Sequence, residues 1–115
     1  MSPPGMPPID MNPHDWAIVS DILMRLVPHY EVWAFGSRVR WTAKEYSDLD
    51  LVVVTDKALE WSTRTALAEA FDESDLLIKV DVVDWATTSV SFRQIIQSEK
   101  VLVQEKTDVH VVPPA

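Results

Sequence analysis

Two stretches decide the fold: Glu31-Val32-Trp33-Ala34-Phe35-Gly36-Ser37-Arg38-Val39-Arg40, and then Ser47-Asp48-Leu49-Asp50-Leu51-Val52-Val53-Val54-Thr55. Residues 31–35 form a short apolar run closed by Gly36-Ser37, and residues 48–55 are strongly β-branched, so both read as strands. Residues 41–47 mix polar and charged side chains in no clear period and read as a loop. Upstream, Asn12 can cap a helix, Pro13 suits its first turn and Asp15 favours the positive end of the helix dipole. Trp16, Val19, Leu23 and Leu26 then recur at helical spacing until Pro28 ends the element. Downstream, Ala66, Leu67, Ala70 and Phe71 mark a helix over residues 60–72. Residues 76–83 make an apolar strand interrupted by Lys79 and Asp81, residues 91–99 a helix, and Val101-Leu102-Val103 a last short strand. This alternation predicts an α/β (α+β) fold, one small mixed β-sheet flanked by helices.

The ends read differently. Residues 1–13 hold five of the eight prolines. Proline fixes φ and lacks the amide donor, so a flexible Pro-rich arm is expected there. Residues 106–115, ending Val111-Val112-Pro113-Pro114-Ala115, are expected to form a flexible tail. That leaves residues 14–105 as one domain, which is what 115 residues allow.

Composition bounds the function. With 47% apolar residues the chain can build a core, and with no cysteine it can form neither a disulfide nor a thiolate zinc site. No apolar run approaches the roughly 18 residues of a membrane span, and no secretory signal opens the chain. A cytoplasmic protein with no membrane contact is expected. Eighteen acidic against ten basic residues give a net charge of −8. The average surface therefore repels a nucleic-acid backbone, and no direct nucleic-acid binding is expected.

The chemistry lies where Gly36-Ser37 is followed, after ten residues, by Asp48-Leu49-Asp50. Asp48 and Asp50, two apart at a strand start, leave the same face. Two carboxylates aimed at one volume repel unless a cation neutralises them. Hard oxygen donors suit Mg²⁺ or Mn²⁺, and two such ions about 4 Å apart can clamp an in-line phosphoryl displacement. Gly36 lets the backbone approach a ligand. The Ser37 hydroxyl and the free amides of the following turn can receive phosphate oxygens. Arg38, Arg40 and Lys44 place three of the ten basic residues within seven positions, completing a triphosphate cradle. Eleven aspartates make a chance Asp-x-Asp unremarkable. Gly-Ser at a fixed spacing, with each motif at the boundary of an apolar strand, is far less expected by chance.

A third acid is expected, because an attacking hydroxyl must lose its proton. Asp81 and Asp84 both stand near the end of the third strand, but three positions apart they face opposite ways and only one can serve. Asp81 lies among β-branched residues, where a carboxylate is hard to explain otherwise. Asp84 has a cap or a surface position open to it, so Asp81 is preferred. Lys79 shares the Asp81 face and can form a salt bridge there. Of the five tryptophans most belong to the core, with Trp41 and Trp61 the candidates for adenine or partner contact. His14, His29 and His110 show no ligand spacing, and Arg93 reads as a solvated helix residue.

The runs Phe35-Gly36-Ser37-Arg38-Val39-Arg40, Ser47-Asp48-Leu49-Asp50-Leu51 and Val80-Asp81-Val82-Val83 resemble the DNA polymerase beta-like nucleotidyltransferase superfamily. The likeness is strongest to its minimal (MNT) branch, the antitoxins of HEPN/MNT toxin–antitoxin pairs, and spans residues 14–105. The resemblance implies that Asp48, Asp50 and Asp81 hold the catalytic Mg²⁺ (or Mn²⁺), with Asp81 helping to deprotonate the acceptor. It also implies that Gly36 and Ser37 grip the triphosphate of ATP. It further implies AMP transfer from ATP to a tyrosine of a partner HEPN-family ribonuclease toxin, which is thereby silenced within a hetero-oligomer. Trp41 departs from the pattern, since many relatives carry a small residue there, often glycine. No second domain follows the last motif, so the acceptor is expected to bring its own positioning surface. The alternative function is an antitoxin that neutralises its partner by stoichiometric binding. A third is transfer to a small molecule or an RNA end, which the acidic balance disfavours.

Overall fold

Asn12 opens the first helix, α1 (Pro13–Leu26), by accepting a hydrogen bond from the Asp15 amide at 2.8 Å. Pro13 occupies the first turn and Asp15 faces the positive dipole end, as the sequence predicts; such a cap stabilises a helix by about 1 kcal/mol. The computed structural model describes residues 7–107. After α1 come β1 (Val32–Phe35), β2 (Leu49–Val53), α2 (Trp61–Asp72), β3 (Val80–Asp84), a single 3₁₀ turn (Trp85–Thr87), α3 (Val90–Glu99) and β4 (Val101–Gln104).

The four strands form one sheet in the order β3-β2-β1-β4. β1 runs antiparallel to both β2 and β4, whereas β2 and β3 are parallel, so the sheet is mixed. Period-two alternation sorts the side chains. Val32, Ala34, Leu49, Leu51 and Val53 face α1 and α2, meeting Val19, Ile22, Leu23, Leu67 and Phe71 in the main core. Trp33, Phe35 and Val52 face the other way and are covered by Ile96 of α3. Helices on both faces explain why β1 and most of β2 are buried throughout.

Two boundaries differ from the sequence reading. β3 begins at Val80, not near residue 76, because β2 begins at Leu49, whose amide donates to the Lys79 carbonyl at 2.9 Å. Leu76 and Ile78 pack half-buried against the core without strand pairing, and Leu77 is exposed. At the N-terminal side, Ile9 is fully buried and Met11 nearly so, both within the main core. The Asp10 amide donates to the Arg38 carbonyl at 2.7 Å. The chain therefore packs against the body from residue 9, inside the stretch read as an arm. The expected tail lies outside the described residues beyond Thr107. Among the described residues no helix is long and apolar enough to cross a membrane.

Candidate active site

Asp50 lies on the α3-covered face of β2, between its buried neighbours Leu49 and Leu51, which anchor the strand in the core below. Phe35 of β1 is its register partner on one side and Asp81 of β3 its partner on the other. Parallel pairing thus brings the second and third carboxylates side by side on one face. Asp48 stands two positions earlier, immediately before β2, exposed. Asp84 falls on the opposite face, as its three-residue offset from Asp81 requires.

Burial pushes the Asp50 carboxyl above the ordinary carboxylate range. The charges of Asp81, Asp48 and Glu99 push it the same way, and only Arg40 opposes them. An array that raises the proton affinity of its central member in this way also attracts a divalent cation. The donors are three carboxylate groups without histidine or cysteine, which suits a hard ion such as Mg²⁺. Gly36 (φ +85°) ends β1 directly above Asp50, and a Cβ there would lie 2.5 Å from the Asp50 Oδ2. Only glycine leaves that space open. Among the described residues no three acidic or histidine side chains are already gathered at metal-ligand distances. Asp81 instead takes the Lys79 ammonium at 3.4 Å, the salt bridge its sequence position allows. The residues fit a divalent ion by chemistry and by shared face, with Asp81 free to exchange an exposed ion pair for a metal.

From Gly36 the chain makes one helical turn, the amides of Val39 and Arg40 donating to the Gly36 carbonyl at 3.1 and 3.4 Å. The Ser37 and Arg38 amides open that turn, where no internal acceptor is available. The turn closes with the Thr42 amide on the Ser37 carbonyl at 3.1 Å and with Trp41 in the left-handed region (φ 58°). Trp41 therefore occupies a backbone conformation that sterically favours glycine.

The two arginines of the expected cradle separate. Arg38 is 7% exposed, and its guanidinium donates to the carbonyls of Asp10 (2.7 Å), Ser47 (2.9 and 3.1 Å) and Glu45 (3.3 Å). It staples the loop to the N-terminal segment and is not disposed toward a phosphate, which corrects its sequence-based assignment. Arg40 stays at the site, donating to the Glu99 carboxylate at 2.5 Å. Glu99 itself escaped the sequence reading. The available signal was an acid in the last turn of a helix, where the dipole disfavours it.

Two other side chains find structural work. Asp84 is fully buried and accepts from the Leu59 amide (2.8 Å), Arg64 (2.5 Å) and the Thr87 hydroxyl. Burial alone would raise its carboxyl, but the Thr87, Leu59 and Arg64 contacts outweigh it and hold the carboxyl below its ordinary range. Asp84 does stand at the N-cap position of the 3₁₀ turn, without a capping hydrogen bond from its side chain, and it is not a surface group. Arg93 is not simply solvated either: it donates to the Trp85 carbonyl at 2.8 and 3.1 Å and lies over the Trp85 ring at 5.0 Å.

A glycine–serine turn beside Asp50 and Asp81, paired on one face of a small mixed sheet, suits the handling of phosphate groups and a divalent ion. The chain belongs to the family described as polymerase beta, nucleotidyltransferase, whose model matches residues 20–108. It is 50% identical over 107 residues to a Haemophilus influenzae protein named "Probable protein adenylyltransferase MntA", with 93% of this chain and 94% of the relative covered. Its fold is similar to a crystal structure of a toxin–antitoxin with AMP-PNP (TM-score 0.66, 24% identity, 82% of this chain and 75% of that chain covered). It is also similar to a chain in a structure of a tri-AMPylated Shewanella oneidensis HEPN toxin in complex with MNT antitoxin (TM-score 0.55, 22% identity, 78% and 69% covered). At these identities the structural likeness is one of fold.

Proposed function

We propose that this nucleotidyltransferase is an antitoxin that transfers AMP from ATP to a tyrosine of a partner HEPN-family toxin, silencing it. The observation that carries the reading is the register pairing of Asp50 with Asp81 beside Gly36. The 50% identical relative, named as a protein adenylyltransferase, supports the protein acceptor.

Asp48, Asp50 and Asp81 would hold Mg²⁺. When bound, the ion supplies Lewis-acid neutralisation of phosphate charge. The Gly36–Ser37 turn offers its opening amides and the Ser37 hydroxyl to the triphosphate. Arg40, already at the site through Glu99, adds a cation at the phosphate end. The acceptor phenol oxygen forms the new bond to the α-phosphorus, the bond from that phosphorus to the bridging oxygen breaks, and pyrophosphate leaves. The phenol proton passes to an Asp81 carboxylate oxygen. The partner's own surface positions the tyrosine.

The test is intact mass spectrometry of the toxin after incubation with this chain, ATP and Mg²⁺. Mass increases in steps of one AMP, lost with Asp48→Asn/Asp50→Asn, support the reading. A toxin that is bound and silenced but unmodified replaces it with stoichiometric neutralisation.

A further inference from the structure

The two most exposed large apolar side chains described, Trp61 (82%) and Leu77 (81%), stand at the two ends of one groove. It runs between α2 and the edge strand β3, on the face of the sheet opposite the aspartates. A cavity of about 350 Å³ at the Trp61 end is floored by Leu59, Leu67, Phe71, Val80 and Val82. A second, of about 550 Å³ at the Leu77 end, shares Ala68, Glu69, Phe71 and Val80 with the first. The groove exists because α2 packs chiefly on α1 and does not close over β3. Val80 and Val82 are consequently only half-buried, whereas Leu49 and Leu51 beside them in β2 are fully covered. Parallel strands are ordinarily covered on both faces, and among the described residues β3 also has no neighbour on its outer side.

The charges say what kind of cover fits. Of the two cations lining the groove, Arg64 is held by Asp84 at 2.5 Å and Lys79 by Asp81 at 3.4 Å. Glu69 and Asp72 line it as well, and neither forms an ion pair among the described residues. Even where a metal takes Asp81 and releases Lys79, the two unpaired acids outnumber that lysine. The uncompensated charge along this apolar groove is therefore negative, on a chain whose net charge is −8. Twelve residues of α2 give it a length of about 18 Å, enough for several side chains of a docked segment.

We propose that this groove docks an amphipathic segment of a partner protein, apolar side chains entering the two cavities and Lys or Arg facing Glu69 and Asp72. The inference rests on the function proposed above for the partner's identity, a HEPN-family toxin. It places binding on the face away from the chemistry, so that docking and transfer use separate surfaces.

The test is calorimetric titration of the toxin into the full chain and into Ala68→Lys, whose exposed parent side chain lines both cavities. Affinity is expected to fall by about tenfold or more in Ala68→Lys, as for a blocked anchor site. Glu69→Lys is expected to weaken binding several-fold at low salt and much less at high salt. Hydrogen exchange of the wild-type complex should show protection in α2 and β3. Wild-type binding that is unchanged in Ala68→Lys overturns the inference alone. A wild-type chain that does not bind the toxin overturns the proposed function and the inference with it. A dimer of this chain abolished by Ala68→Lys assigns the groove to a second copy and also overturns it.

Discussion

Glu99, the last residue of α3, holds the Arg40 guanidinium at 2.5 Å although the two are 59 positions apart in sequence. The pair joins the turn after β1 to the helix that packs on the same face of the sheet as Asp50. Glu99 is mostly buried and Arg40 about half exposed, so the contact is worth at most about 1 kcal/mol. On the proposed function, a triphosphate and Glu99 compete for the same guanidinium. Glu99→Gln is therefore expected to lower KM for ATP a few-fold, about what 1 kcal/mol allows. Arg40→Ala is expected to raise it by up to about tenfold. Steady-state rates against ATP concentration check both; a KM unmoved in either variant removes Arg40 from the phosphate site.

Asp50 carries its charge at a cost to the fold, since burial and three neighbouring acids raise its proton affinity. A carboxyl raised in the folded state binds protons more readily there than in the unfolded chain. Its destabilising effect is full at neutral pH and fades as pH falls through the raised value. Asp50→Asn is expected to raise Tm at neutral pH, with the gap to wild type closing in acid. Nucleotide transfer in the same variant is expected to fall by at least about a hundredfold. Calorimetric scans at several pH values and a transfer assay read the two effects separately.

Asp84 has the opposite sign. Its carboxyl is lowered below the ordinary 3.8, so its stabilising contribution is present above that value and is lost as pH falls through the lowered one. Asp84→Ala strips partners from the Leu59 amide, Arg64 and Thr87 at once. A loss of about 2–4 kcal/mol is expected, less than for a fully buried ion pair because Arg64 is partly exposed. Urea unfolding measures it, and a cost below about 1 kcal/mol would mean that water replaces those contacts.

Gly36→Ala places a Cβ 2.5 Å from the Asp50 Oδ2 at a φ of +85°. The left-handed backbone alone costs about 1–2 kcal/mol. The carboxylate must also turn away, so transfer activity is expected to fall far more than stability does. Equal losses of both would assign Gly36 to the fold alone.

How much of this was legible follows the range of the interactions. The α1 cap, the Asp48-x-Asp50 pair and the parity that separates Asp81 from Asp84 all depend on residues a few positions apart, and local periodicity carries them. Asp81 beside Asp50 needed only the β2–β3 register. What the sequence hid is non-local. Arg38 reads as a phosphate ligand until Asp10, 28 positions away, is seen to accept its guanidinium. Leu76-Leu77-Ile78 reads as strand because the chain does not say that the pairing of β2 with β3 begins only at Leu49. Ile9 and Met11 are two apolar residues among prolines, with no period to mark them as core.

Trp41 has a φ of 58° and 60% of its surface exposed, so it carries backbone strain with little burial to offset it. An L-residue in this region costs about 1–2 kcal/mol relative to glycine, and glycine's greater freedom in the unfolded chain returns part of that. Trp41→Gly is expected to stabilise the protein by about 1 kcal/mol, raising Tm by roughly 5 °C in a domain of this size. A side chain kept at such a position points to a contact made outside the free chain. Measured on the free protein and again with toxin and ATP, the stabilisation should persist in the first case and shrink or reverse in the second. A Tm that falls in the free protein would show that Trp41 is anchored by packing and that its strained backbone is structural.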